Sequence, residues 1–158
     1  MSNFYYIDRS KVSFEDFIAS PEIKSHLMAF LHEQQFKHLF DQYKIPVSNK
    51  MLLYGDSGCG KTMTAKVIAN QLNKKLMIVN LATIISSKLG ETAKNLDLLV
   101  KESQYESMVL LLDEFDSLGQ IRDYDNKDNS EMKRVVNAII QLMDYFPQKS
   151  ILIAATNQ

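Results

Sequence analysis

Short apolar runs alternate along the chain with longer segments whose apolar residues recur at helical spacing. A short, continuously apolar run is typical of a strand that is covered on both faces. The runs "KMLLY" and "SMVLLLD" have this form, and "KLMIVN" and "SILIAAT" are similar. The sequence therefore predicts four strands, at Lys50–Tyr54, Lys75–Asn80, 107–113 and 150–156.

Helices are predicted before and between these strands, from apolar residues three or four positions apart. They cover residues 22–40, residues 62–72, part of residues 90–103 and residues 130–145, and residues 119–129 predict a polar loop. Ser20 is the expected N-cap of the first helix, with Pro21 at its first position. The apolar positions on the predicted helix faces are Ile23, Leu27, Phe30, Leu31, Leu39, Leu96, Leu99, Val100, Met132, Val135, Val136, Ile139 and Met143.

This alternation of strands and helices favours a mostly parallel sheet with helices on both faces, an α/β fold. The 158 residues, of which 46% are hydrophobic and 23% charged, suit a single domain over residues 1–158. A formal net charge of −1 gives no bulk attraction to nucleic acid or to an anionic membrane. We find no transmembrane segment and no signal peptide, and the single cysteine fits a reducing cytoplasm.

The stretch "GDSGCGKT" directly follows the first predicted strand and leads into the second predicted helix. It matches the phosphate-loop (Walker A) pattern G-x-x-x-x-G-K-[ST], and the strand–loop–helix context gives the match its meaning. Backbone N–H groups at a helix N-terminus attract phosphate, and glycines leave its approach open. We expect Lys61 to reach the outer phosphates and the Thr62 hydroxyl to coordinate Mg²⁺. The predicted nucleotide-binding residues are Gly55, Asp56, Ser57, Gly58, Cys59, Gly60, Lys61, Thr62 and Met63.

Polar side chains also follow the third and fourth predicted strands. Asp113 is placed to hold the hydration shell of Mg²⁺, as in a Walker B motif, and Glu114 to orient or deprotonate an attacking water. Asn157 follows the fourth strand, where its amide can hydrogen-bond that water or a γ-phosphate oxygen. The predicted catalytic residues are Lys61, Glu114 and Asn157, and the predicted metal ligands are Thr62 and Asp113. For Asp116 the alternatives are a role in this site and a cap of the following turn.

Together these motifs resemble those of the AAA+ ATPases, in particular the AAA subgroup. "SSKLGETAKNL" resembles the first pore loop of that subgroup, "EMKRVVNAIIQLMD" the helix before sensor 1, and "AATN" sensor 1 itself. "LFDQYKIPVSNKMLLYGDSGCGKT" is similar to the entry into its phosphate loop. "VSFEDFIASPEIK" resembles the segment that approaches adenine, which implies adenine contacts from Phe17, Ile18 and Ala19.

The resemblance implies a three-layer αβα phosphate-loop NTPase core that binds ATP and Mg²⁺. It also implies a ring-shaped homo-oligomer that remodels a protein partner in the cytoplasm. The family continues past sensor 1 with arginine fingers, a fifth strand and a helical lid, which are absent from these 158 residues. We therefore expect Lys50–Tyr54 to form an exposed sheet edge, and these residues alone to hydrolyse ATP little.

Two residues depart from the pattern of the subgroup. Lys88 stands where the first pore loop usually carries an aromatic residue, so threading of unfolded polypeptide by an aromatic side chain does not follow from the resemblance. Cys59 stands where threonine is common. The alternatives for its thiol are a reactive group of lowered pKa beside Lys61 and a small space-filling side chain.

Three other functions stay open: a nucleotide-gated switch with little hydrolysis, a DNA-acting AAA+ protein, and a small-molecule kinase. An acidic residue for activating water disfavours the kinase, and the lack of a basic stripe disfavours the DNA-acting protein. His26, His32 and His38 face three directions on a helix and do not predict a metal site. The acidic segment around Asp123 fails the EF-hand spacing.

Overall fold

The computed structural model describes residues 5–56, 60–86, 89–123 and 129–157. Within them the strands are β1 (Tyr5–Asp8), β2 (Lys50–Tyr54), β3 (Lys75–Asn80), β4 (Met108–Asp113) and β5 (Ile151–Thr156). They form one sheet in the order β1-β3-β4-β5-β2, in which only the β1–β3 pair is antiparallel. The predicted mostly parallel sheet is confirmed.

Helices cover the sheet on both faces. They are α1 (Pro21–Gln35), α2 (Lys37–Gln42), α3 (Lys61–Gln71), α4 (Leu81–Ser86), α5 (Leu89–Tyr105) and α6 (Asn129–Asp144), with a 3₁₀ helix at Phe115–Asp123. Alternate residues of a strand face opposite sides of a sheet. Accordingly, Met77 and Val79 pack into one buried cluster with α4, α5 and α6, whereas Leu76 and Ile78 pack into another with α1 and α3. These two cores give the expected three-layer αβα architecture.

The N-terminal strand β1 was not predicted, because its four residues lie in a segment without strand periodicity. Tyr5–Asp8 pairs with β3 in antiparallel register, Tyr5 opposite Val79 and Asp8 opposite Leu76. Asp8 also forms an ion pair with Lys66 of α3, at 3.5 Å. The fifth strand of this sheet therefore comes from the N-terminal segment, which the sequence suggested only as a lead-in to the adenine side.

The strand β2 lies at the opposite edge, beside β5. The expected edge position is observed, but the prediction that this strand is covered on both faces is wrong. Its residues alternate between exposed and half-buried, and Leu52 and Tyr54 are 59% and 74% exposed. An exposed edge offers unpaired backbone groups to a further strand.

Two helices differ from their predictions. The predicted helix over residues 22–40 is broken at Phe36 into α1 and α2, while the Ser20 cap is confirmed by a 3.2 Å hydrogen bond from the Ile23 N–H to its Oγ. Leu27 and Leu31 are buried as expected, but Ile23 and Leu39 are exposed.

The buried face of α6 differs from the predicted one. The side chain of Met132, which was predicted on that face, lies outside the described residues. The buried residues are Val135, Ala138, Ile139 and Leu142, whereas Val136 and Met143 are exposed. The predicted loop 119–129 is a 3₁₀ helix as far as Asp123, and the structure describes no residue from 124 to 128. None of the helices among the described residues is long and apolar enough to cross a membrane.

Candidate active site

The predicted phosphate-loop, acidic and amide residues meet where three neighbouring strands end. Because β4, β5 and β2 are parallel and adjacent, the residues that follow them emerge at one edge of the sheet. A cavity of about 320 Å³ lies there. It is lined by Gly60, Lys61, Thr62, Met63, Asp113, Glu114 and Asn157. Residues separated by up to about a hundred positions thus share one cavity.

Gly60 gives the phosphate loop its turn into α3. Its φ of 88° lies in the left-handed region, which favours glycine, and α3 begins at the next residue. The Thr64 N–H and hydroxyl both donate to the Gly60 carbonyl oxygen at 2.9 Å, which fixes the first turn of the helix. The start of α3 therefore presents its free backbone N–H groups toward the cavity end of the sheet.

The Lys61 ammonium connects the phosphate loop to the end of β5. Its Nζ donates to the Gly55 carbonyl oxygen at 2.6 Å, to the Asp56 carbonyl oxygen at 3.1 Å and to Asn157 Oδ1 at 3.0 Å. The Gly55 N–H also donates to the Thr156 carbonyl oxygen at 3.2 Å. Two predicted catalytic residues, Lys61 and Asn157, are therefore in direct contact.

The acidic pair at the end of β4 has an unusual backbone. Glu114 has a φ of 56°, in the left-handed region that a non-glycine residue rarely adopts, and its N–H donates to Asp113 Oδ1 at 2.9 Å. Such a conformation costs about 1–3 kcal/mol and is found at functional sites. The Ser117 N–H donates to the Glu114 carbonyl oxygen at 3.0 Å, so the chain turns sharply from strand into 3₁₀ helix here. No sequence signal pointed to this strain.

Asp116 lies in the turn behind this pair. Its Oδ1 is buried and accepts no hydrogen bond from any residue that the structure describes. A buried carboxylate oxygen without a donor is costly and calls for a functional or structural reason. This oxygen therefore supplies no cap to the turn, which was one of the two alternatives for the residue.

The donor set in the cavity suits Mg²⁺. Mg²⁺ is usually held by one or two protein oxygens together with phosphate oxygens and water. Thr62 and Asp113 both line the cavity and offer a hydroxyl and a carboxylate. Among the described residues, no group of three His, Cys, Asp or Glu side chains is placed to hold a metal ion. A Mg²⁺ ion at Thr62 and Asp113 would therefore also need phosphate oxygens and water as ligands.

The residues expected near adenine border a second, larger cavity of about 630 Å³. Phe17 is buried in the core, Ala19 is half-buried and Ile18 is 96% exposed. The cavity also reaches Lys61 and Thr64, so it adjoins the phosphate loop. Sequence reasoning assigned no nucleotide contact to nine other lining residues, among them His26 of α1 and Tyr54 at the end of β2, because only the fold brings these two elements together at this cavity.

Four predicted residues cannot be placed. Ser57, Gly58 and Cys59 of the phosphate loop lie outside the described residues, as does Lys88 of the segment that resembles a pore loop. The alternatives for the Cys59 thiol and for Lys88 therefore remain predictions from sequence.

Comparison with known proteins agrees with this geometry. Residues 51–158 match the model of the "ATPase family associated with various cellular activities (AAA)". An uncharacterized AAA family ATPase, y4kL, of Sinorhizobium fredii is 42% identical over 116 residues, which are 73% of this chain and 35% of the relative. The proteasome-activating nucleotidase of Thermococcus kodakarensis is 32% identical over 161 residues, which are 98% of this chain and 40% of the relative.

A third relative, cell division protein C of Sulfolobus acidocaldarius, is 29% identical over 163 residues, which are 96% of this chain and 42% of the relative. The chain thus spans less than half the length of each of these three proteins. The family match covers more than half of the chain and includes most of β2, the phosphate loop, the acidic pair and Asn157. On this match, the chain belongs to the AAA family of ATPases.

Proposed function

We propose that this chain is the ATP-binding and ATP-hydrolysing core of a ring-forming AAA ATPase that uses Mg²⁺ and remodels a protein partner in the cytoplasm. The observation that carries the proposal is the convergence of Lys61, Asp113, Glu114 and Asn157 on one cavity beside the start of α3. We treat residues 1–158 as one domain of that protein, because both buried clusters pack against the same sheet.

The proposed mechanism assigns each group a separate task. The backbone N–H groups at the start of α3 and the Lys61 ammonium bind the phosphates, while Thr62 and Asp113 hold Mg²⁺, which supplies charge neutralisation on the phosphate oxygens when bound. Glu114 takes the proton of the attacking water, and Asn157 orients that water or the γ-phosphate. The Phe17–Ala19 segment contacts the adenine.

The ring is proposed from the charges at the site. Lys61 is the only cationic side chain among the described residues that line the phosphate-loop cavity, and none of these residues is arginine. In related phosphate-loop enzymes, an arginine supplied by a neighbouring subunit or partner raises the rate by roughly 10³ to 10⁵. We therefore propose that a neighbouring subunit completes the site and that isolated subunits hydrolyse ATP slowly.

The lack of arginine among the described residues that line the cavity also supports the alternative function, a nucleotide-gated switch with little hydrolysis. The two functions differ in whether turnover rises as subunits associate. A protein partner is proposed because one relative is named a proteasome-activating nucleotidase, a name that implies action together with a protein complex.

The binding part of the proposal is tested with Lys61→Ala. Removing the ammonium removes a charge-assisted contact to phosphate, so we expect ATP affinity to fall at least tenfold. A ligand that binds only the folded protein, at a free concentration of about a hundred times its Kd, raises the free energy of unfolding by about 2.7 kcal/mol. MgATP is therefore expected to raise the Tm of wild type much more than that of the variant. Calorimetry and thermal unfolding with ATP and with GTP measure both effects.

The matched control is Lys101→Ala, which removes an exposed lysine of α5 that does not line the cavity. It should bind ATP like wild type. Equal Tm shifts in wild type and Lys61→Ala would refute the assignment of the phosphate loop, and a preference for GTP would refute the adenine assignment.

A further inference from the structure

A second polar cavity, of about 370 Å³, lies at the end of the sheet opposite the phosphate loop. It lies where Lys74, Ser107 and Lys149 precede β3, β4 and β5, and where α3 ends. Lys37, at the start of α2, completes its wall. Because six-residue strands separate the two ends of the sheet, this cavity is about 20 Å from the phosphate loop. We call it the lysine pocket.

Its three lysines donate only to neutral oxygens in the described structure. Lys74 Nζ donates to the Lys149 carbonyl oxygen at 2.7 Å and to Ser107 Oγ, and Lys37 Nζ donates to the Gln148 carbonyl oxygen. Lys149 Nζ donates to the Gln104 carbonyl oxygen at 2.6 Å. The ion pairs found among the described residues, Lys66–Asp8 and Lys75–Glu106, lie outside the pocket.

The positive charges in the pocket are therefore poorly compensated. Burial lowers the pKa of Lys74, and the charge of Lys37 lowers it further. Burial also lowers the pKa of Lys37, although Asp41 partly opposes that effect. Two ammonium groups that repel one another in a half-buried cavity favour a bound anion, which would relieve both the repulsion and the loss of solvation.

Most of the other lining side chains are polar, although the Ser107 hydroxyl and the Gln34 amide already donate to the carbonyl oxygens of Lys149 and Ser48. Four glutamines, Ser107 and Leu72 complete the lining, and no carboxylate is among the described residues that line the cavity. The volume falls in the lower range of small-molecule sites. Lysine ammonium groups act as point charges suited to phosphate oxygens.

We propose that the lysine pocket binds a small, multiply charged oxyanion of the phosphate class, such as pyrophosphate. This site is separate from the nucleotide site and does not depend on the function proposed above. The competing explanation is structural: the lysines only join the loops before β3, β4 and β5 through the carbonyl oxygens they contact. That explanation predicts a stability loss on substitution but no anion binding.

The test uses pyrophosphate in a Lys61→Ala background, so that binding at the phosphate loop is weakened. Calorimetry should detect one pyrophosphate site per chain. Adding Lys74→Met, which keeps an apolar stem but removes the charge, should weaken that binding at least tenfold. Lys149→Met, at an exposed position, should also weaken pyrophosphate binding. This second variant replaces Lys74→Met in the test if circular dichroism shows that Lys74→Met does not fold.

The matched control is Lys75→Met, since Lys75 is adjacent in sequence but is paired with Glu106. It removes the same charge and should change pyrophosphate affinity less than twofold. Citrate and inorganic phosphate titrations test the class of anion, and citrate should bind at least tenfold more weakly than pyrophosphate. No pyrophosphate binding in the Lys61→Ala chain, equal affinity in the Lys74 and Lys75 variants, or equal binding of citrate would each overturn the proposal.

Discussion

Glu114 combines a proposed chemical role with a strained backbone. Its φ of 56° and the hydrogen bond from its own N–H to Asp113 hold the two carboxylates at the turn that leaves β4. The sequence motifs predicted Asp113 and Glu114 as site residues, and they also predicted Lys61, Thr62 and Asn157. The motifs did not predict the backbone strain, because an Asp-Glu pair does not by itself specify a left-handed conformation. The direct contact between Lys61 and Asn157 likewise depends on the pairing of β2 with β5.

Replacing Glu114 by glycine separates strain from chemistry. Glycine adopts a positive φ without the steric cost of a Cβ, so Glu114→Gly should leave the free energy of unfolding unchanged or raise it by up to about 1 kcal/mol. Lys44→Gly is the control, because Lys44 also has a φ of 56° and does not line the cavity. Urea unfolding measures both. A loss of more than about 1 kcal/mol in Glu114→Gly alone would contradict the left-handed conformation.

At the scale of elements, patterns of apolar residues predicted four strands at or within one residue of their observed bounds. They succeeded because β3, β4 and β5 are central strands whose apolar runs are long and uninterrupted. They failed at β1, whose place depends on pairing with β3, a contact between distant segments. They also misplaced the face of α6, where apolar side chains occur on both the buried and the exposed side.

The corrected face of α6 is testable with neighbouring residues. Leu142 is 1% exposed and packs in the core with α5, whereas Met143 is 36% exposed. Leu142→Ala should lower the free energy of unfolding by about 2–5 kcal/mol through lost burial and a cavity. Met143→Ala should change it by about 0.5 kcal/mol or less. The predicted face would have required the larger loss at Met143, so denaturant midpoints distinguish the two assignments.

The attachment of β1 predicts a pH dependence. Burial opposes ionisation of Asp8, but hydrogen bonds from Ser10 and the charge of Lys66 together lower its pKa. Because the folded pKa lies below the unfolded value of about 3.9, the stability from Asp8 is present above that value and lost as pH falls through the folded pKa. Asp8→Asn should therefore lower the free energy of unfolding near pH 7 by about 1 kcal/mol or less, and the difference should vanish near pH 2. A difference that persists at low pH would contradict the electrostatic origin.

At the scale of the whole molecule, the two polar cavities lie at opposite ends of the strands of one mostly parallel sheet. The phosphate-loop cavity follows the carboxyl ends of β2, β4 and β5, and the lysine pocket precedes β3, β4 and β5. The first could be predicted from sequence because its residues occur in compact motifs. The second could not, since Lys37, Lys74 and Lys149 are scattered along the chain and only the fold brings them together.

At the same scale, we propose that a neighbouring subunit completes the phosphate-loop cavity. Because no arginine is found among the described residues that line the phosphate-loop cavity, the site is expected to work at its full rate only after association. The edge strand β2 and its exposed Leu52 and Tyr54 leave apolar surface open for further contacts.

The central claim is that Lys61, Asp113, Glu114 and Asn157 form one site of ATP hydrolysis. Steady-state phosphate release with MgATP in excess over protein, compared between wild type and Glu114→Gln over a range of protein concentrations, tests it most directly. The amide keeps the shape of the carboxylate but cannot accept the proton, so we expect ATP binding within about twofold of wild type and a loss of at least 10²-fold in turnover. Wild-type turnover per subunit should rise with protein concentration. Turnover in Glu114→Gln at the wild-type rate would contradict the account.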